Sequence, residues 1–210
     1  DTAYGENWIK LPMNDFGQTG DSLAQDGLFS ATVHKTVQRH RHLIRYRVSV
    51  KNPLGHAITA PYPGDPSPNF AYFCYDGVPS WKGRAKPGAK VVESSSEALN
   101  RVPVYHLISK KTAVEKSTWN EQYRGDNYKW NGTLVYDSEV YDHIRYRARG
   151  GVWRDAMGKN MWKFDFNRGH SFQAHDHYGR EYDTRWDKLN FSACIQQGNY
   201  QHRGEHGICL

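Results

Sequence analysis

Cysteine is scarce in this chain. Cys74, Cys194 and Cys209 are the only three, too few for a disulfide scaffold and unable to pair completely within one molecule. None stands in a C-x-x-C pair, so the usual zinc-site spacing is missing. One disulfide stays open for an exported protein, and the spacing does not select its partners. No apolar run approaches the roughly 20 residues of a membrane-spanning helix. Long heptad-like runs, which would argue for a coiled coil or a leucine-packed bundle, are also missing. Neither G-x-S-x-G nor a catalytic cysteine context occurs, which argues against a hydrolase nucleophile. A G-x-x-x-x-G-K-[ST] phosphate loop is absent as well, because Gly158-Lys159 continues into Asn160.

What is abundant is aromatic: 14 Tyr, 8 Phe and 7 Trp, a composition that favours β-strands around an aromatic core over a helical bundle. Lys and Arg outnumber Asp and Glu by 28 to 22, giving a net charge of +6. That excess permits attraction to phosphates, anionic glycans or nucleic acid without requiring any of them. Against nucleic acid, the basic residues are spread along the chain, and no zinc finger, basic zipper or aromatic RNA-binding signature is present. The local basic run 34–47, HKTVQRHRHLIRYR, continues into an alternating strand and reads as a solvated strand face. The chain begins at Asp1 without an initiator methionine or signal peptide and stops at Leu210 after a glycine-rich turn. It is read as a processed product or a fragment of a longer protein.

Residues 1–80 are expected to form an all-β module. Strand candidates are Trp8 to Leu11, Leu28 to Val37, Leu43 to Val50, His56 to Ala60 and Phe70 to Tyr75, separated by turns rich in Asp, Gly and Pro. Short strands at this spacing favour a β-sandwich. Residues 81–101 are polar and nearly free of aromatics, which marks a linker. In the third segment, 102–210, Val102 to Ser109 is an apolar strand and 110–122 a short helix. Asn131 to Tyr136 and Val140 to Arg149 bracket Asp137-Ser138-Glu139 as a hairpin.

Several constellations carry chemical potential. Asp15, Asp21 and Asp26, interleaved with Gly17, Gly20 and Gly27, offer three carboxylates to calcium, but they miss the EF-hand spacing and read more simply as turn formers. His175 and His177, flanking Asp176 and near His170, would share a strand face as a metal pair does. Without a third ligand at a recognisable spacing they read as surface histidines, and so do His202 and His206.

Residues 141–166 are more specific. Ile144, Tyr146 and Ala148 alternate with Arg145, Arg147 and Arg149, the period of a half-buried strand with one cationic face. Gly150 and Gly151 then break the strand and permit a close backbone approach. From 159 onward Lys159, Met161, Lys163 and Asp165 share one face, and Asn160, Trp162, Phe164 and Phe166 the other. Arginines, a glycine turn and a lysine strand suit the positioning of nucleotide phosphates. The pattern alone fits a β-hairpin with exposed charges still better.

Residues 102–203 resemble the N-terminal portion of the CotH kinase family, the spore-coat-protein-H-like atypical protein kinases. Val102 to Ile108 resembles its opening strand, and Gly132 to Tyr136 followed by Val140-Tyr141-Asp142 its next hairpin. The family's R-x-R-G and K-K-S-aromatic-x-aliphatic-x-F patterns correspond to Arg147-Ala148-Arg149-Gly150 and to Lys159 through Phe166, with Asn160 and Met161 departing from them. Trp186 to Phe191 resembles the later W-x-x-L strand. The resemblance implies a mainly β fragment in which a β-sandwich precedes the β-rich N-terminal lobe of an α+β kinase-like domain. It implies that ATP and Mg2+ serve as cofactors, that Lys159 holds the nucleotide phosphates, and that Arg149, Gly150, Gly151 and Arg154 form the covering turn. The implied activity is phosphorylation of Ser or Thr on surface or coat proteins. The family's catalytic and metal-binding aspartates are expected beyond Leu210, which would leave this piece inactive alone. Residues 1–80 resemble the immunoglobulin-like or fibronectin-like modules of large bacterial surface proteins, which implies an extracellular or cell-surface location. The competing expectation is a non-catalytic surface, adhesion or scaffold protein.

Overall fold

The computed structural model describes residues 8–84, 88–101, 103–123, 125, 127–150, 160–176 and 178–192. Their architecture is mainly β. Strands β1 (His42–Tyr46) and β2 (Val48–Lys51) run almost continuously from the basic segment, followed by β3 (Ala57–Ala60) and β4 (Phe70–Cys74). A small hairpin comes next, β5 (Trp81–Gly83) with β6 (Val92–Ser94), then the single-turn helix α1 (Ser96–Leu99), whose N-cap Ser95 accepts the amide of Ala98. Beyond it lie β7 (Tyr105–Ile108), helix α2 (Lys111–Trp119), β8 (Trp130–Tyr136), β9 (Glu139–Arg149), β10 (Met161–Asp165) and β11 (Lys188–Phe191).

The last five strands form one antiparallel sheet in the order β11-β10-β9-β8-β7. Strands β8 and β9 are joined by a two-residue turn in which Asp137 and Ser138 both take positive φ angles, +49° and +66°. That geometry matches the right-handed twist of the flanking strands, so a tight hairpin forms without a central glycine. Further along the same pair, Thr133 faces two residues, Asp142 and His143, and His143 sits at φ +53°. This bulge shifts the alternation by one, so that Tyr141 points into the core together with Ile144, Tyr146 and Ala148. Gly132 lies beside it because a side chain there would meet the Tyr146 ring at 3.0 Å and the Ile108 carbonyl at 3.1 Å.

The core is aromatic. Leu134, Tyr141, Ile144, Tyr146, Phe164, Phe166 and Phe172 are buried in one cluster, with Tyr105, Trp130, Trp162 and Phe191 packed around it. Ring pairs at 5.1–5.3 Å link Tyr141, Phe166 and Phe172. Helix α2 is tied to the sheet by the Ser117 hydroxyl, which accepts the Ala148 amide at 2.8 Å.

Where a β-sandwich is expected over 1–80, the described residues form two two-stranded ladders, β1 with β4 and β2 with β3. They contribute nothing to the buried apolar core, and Val50 and Ile58 stay largely exposed. Two strands cannot cover each other's faces, so such ladders need support from elsewhere. Trp8 to Leu11 and Leu28 to Val37 form no strand; the single backbone bridge nearby joins Asn14 to Ser30. Residues 81–101, expected as a linker, carry the β5–β6 hairpin and α1.

Candidate functional site

The alternation read in 144–166 becomes a two-faced pair of strands. The register sets Arg149 opposite Met161, Arg147 opposite Lys163 and Arg145 opposite Asp165, while Trp162 and Phe164 lie opposite Ala148 and Tyr146 on the core side. Directly opposed residues project to the same face, so three arginines and a lysine share the surface that the core does not use. Lys129, just before β8, joins them by pairing its Nζ with Asp165 Oδ2 at 2.5 Å. The second Asp165 oxygen is buried and accepts no hydrogen bond. Five cations therefore share this face with one carboxylate, which pairs with Lys129. Gly150 ends β9 at φ +115°, a backbone conformation that a side chain would strain. Of the residues expected at the cradle, Arg149 and Gly150 stand here, whereas Gly151, Arg154 and Lys159 lie outside the described residues.

Guanidinium and ammonium groups on one face suit phosphate oxygens. A magnesium ion needs several oxygen ligands, and Asp165 is the described carboxylate of this face, already engaged by Lys129. The described residues of this face thus suit an anion and do not assemble a metal site beside it.

A second constellation escaped sequence reasoning. Asp142, with 3% of its side chain exposed, receives Arg45 in a two-pronged bond, Nε to Oδ2 at 2.7 Å and Nη2 to Oδ1 at 3.0 Å. Asn69 Nδ2 donates to it at 2.9 Å, Thr133 Oγ1 at 2.5 Å and the His143 amide at 2.9 Å. Burial alone would raise the Asp142 carboxyl; the bonds from Arg45, Asn69 and Thr133 outweigh it and hold the group far below the ordinary carboxylate range. His143 is also lowered, its imidazolium disfavoured first by burial and again by Arg45, against the pull of Asp142. This hub fastens β1 and the loop before β4 to the bulge of β9. No short-range signal marks it, because Arg45 and Asp142 are 97 residues apart.

The histidines sort into separate pairs. His170 Nε2 meets Asp65 Oδ1 at 2.8 Å, and His175 lies between Asp137 at 3.3 Å and Glu181 at 3.6 Å. Asp176 is occupied by the backbone and side chain of Arg180; His177, His202 and His206 lie outside the described residues. Among the described residues the group of three that could hold a metal is Asp15, Asp21 and Asp26, with ligand oxygens within 4.8 Å of one another. Backbone amides use those oxygens: Gly17 donates to Asp21, Asp26 and Gly27 to Asp15, and Leu28 to Asp26. Cys74 is a free, half-buried thiol; Cys194 and Cys209 lie outside the described residues.

Compared with protein-family models, curated proteins and solved structures, the chain has no match.

Proposed function

We propose that this chain is the nucleotide-holding part of a CotH-like protein kinase acting on Ser or Thr of bacterial surface or coat proteins, with the β9–β10 face as its phosphate cradle. The observation that carries the reading is the placement of Arg147 directly opposite Lys163. Guanidinium and ammonium groups set side by side on one strand pair present several donors to phosphate oxygens. The five-stranded antiparallel sheet, with Gly150 at positive φ directly after its most basic strand, supports the same reading.

In this role Arg147, Arg149 and Lys163 neutralise and orient phosphate oxygens, and Asp165 fixes Lys129 at the rim. Lys159 and Arg154 join them on the strength of the resemblance. Bound ATP would supply the transferable phosphoryl group.

Titration with a fluorescent ATP analogue in magnesium tests the assignment. Each charge-assisted contact contributes about 1.5–3 kcal/mol, so Lys163→Ala and Lys159→Ala are each expected to weaken binding about tenfold or more. A chain that binds no nucleotide, or one whose affinity neither substitution alters, refutes the cradle and favours the non-catalytic surface protein.

A further inference from the structure

The molecule also holds a cleft of about 770 Å3 on the far side of the Asp142 hub, between the β1–β4 ladder and the β8–β9 turn. Its wall includes Tyr46 and Phe70, whose rings lie 5.3 Å apart and remain more than 40% exposed. Its lining includes the exposed Asp137, Glu139 and Glu181 and the mostly buried Asp65, which meets His170, with Arg185 as the one full cation; Asp142, also on the lining, is already neutralised by Arg45. In a chain of net charge +6, this is a concentration of negative charge beside open aromatic faces.

We propose that the cleft is a docking site for a basic segment of a partner protein, one arginine or lysine side chain entering between the carboxylates and the Tyr46–Phe70 wall. Carboxylates attract the cation, and ring faces attract it again by their quadrupole. A phosphate or other anion would meet four like charges. A metal ion would need convergent ligands, yet His170 and His175 bind different carboxylates, and the three-carboxylate group of the described residues lies at Asp15, Asp21 and Asp26 instead. A purely apolar segment would bury the carboxylates without a partner. The proposal needs no nucleotide and stands apart from the phosphate cradle.

The test is fluorescence anisotropy at low salt with a labelled decapeptide of alternating arginine and glycine, against the matched glutamate-glycine peptide and against spermidine as competitor. The arginine peptide is expected to bind and the glutamate peptide to fail. Asp137 and Glu181 are 61% and 64% exposed, so Asp137→Asn with Glu181→Gln removes charge without disturbing the core. That double variant is expected to weaken the arginine peptide about three- to tenfold. Tyr46→Leu, which removes only the ring, is expected to weaken it about threefold. Equal binding of both peptides, affinity unchanged in both variants, or displacement by spermidine at the peptide's own concentration would each overturn the proposal.

Discussion

Arg45→Met tests the hub at its most informative point. The substitution keeps the length and apolar stem of the side chain and removes the charge that holds Asp142. Breaking a buried ion pair from one side costs about 3–5 kcal/mol, because the remaining charge stays buried. Arg45 is itself 26% exposed, and Asn69, Thr133 and the His143 amide continue to donate to the carboxylate, which places the cost at the lower end, about 3 kcal/mol. For a chain of this size, 1 kcal/mol moves Tm by about 2–4 °C, so a drop of about 6–12 °C is expected at neutral pH by circular dichroism. The acid profile supplies a second readout. Asp142 titrates lower in the folded chain than its unfolded value near 3.9, so its contribution is complete above about pH 4 and disappears as pH falls through the depressed folded value. The gap between wild type and variant should therefore be widest at neutral pH and close only well into acid. A Tm within about 2 °C of wild type at pH 7, or a gap that widens on acidification, would refute the reasoning.

Two further stability measurements probe the sheet. Phe172→Ala removes a buried ring that touches Tyr141 and Phe166, and is expected to cost about 3–5 kcal/mol in urea unfolding; a cost below about 1 kcal/mol would mean that the segment after β10 does not seal the core. Gly132→Ala pushes a methyl against the Tyr146 ring and the Ile108 carbonyl, and is expected to lower stability by about 1–3 kcal/mol, with no loss if the bulge relaxes freely.

The strands of the second half were legible because their code is local. Ile144, Tyr146 and Ala148 alternate with arginines, and the alternation maps directly onto burial. The Asp137-Ser138 turn could be placed to within a residue, although Glu139 belongs to the strand and pairs with Tyr136. The bulge at Asp142 and His143 was not legible, since one extra residue leaves no compositional trace; the three-residue step from Tyr141 to Ile144 is its only signature. Over 8–80, LIRYRVSV announces strands but not what covers them. The answer depends on Arg45 meeting a carboxylate in a distant segment, and strand alternation does not encode such a meeting. The histidines show the same limit. Their clustering in sequence resembles a metal set, but His170 meets Asp65 while His175 lies between Asp137 and Glu181.

The Arg45–Asp142 tie also governs how the chain bears load. Tension applied to the N-terminal ladders reaches the five-stranded sheet through several ties, among them the two-pronged bond at the strand bulge, Asn69 on the same carboxylate, and Asn167, whose amide donates to the Asp142 carbonyl at 3.2 Å and to Ser67 at 3.3 Å. Such a clasp transmits a pull directly into β9, next to the arginine face. A tug on the front of the molecule is thus expected to load β9, the strand that carries Arg145, Arg147 and Arg149.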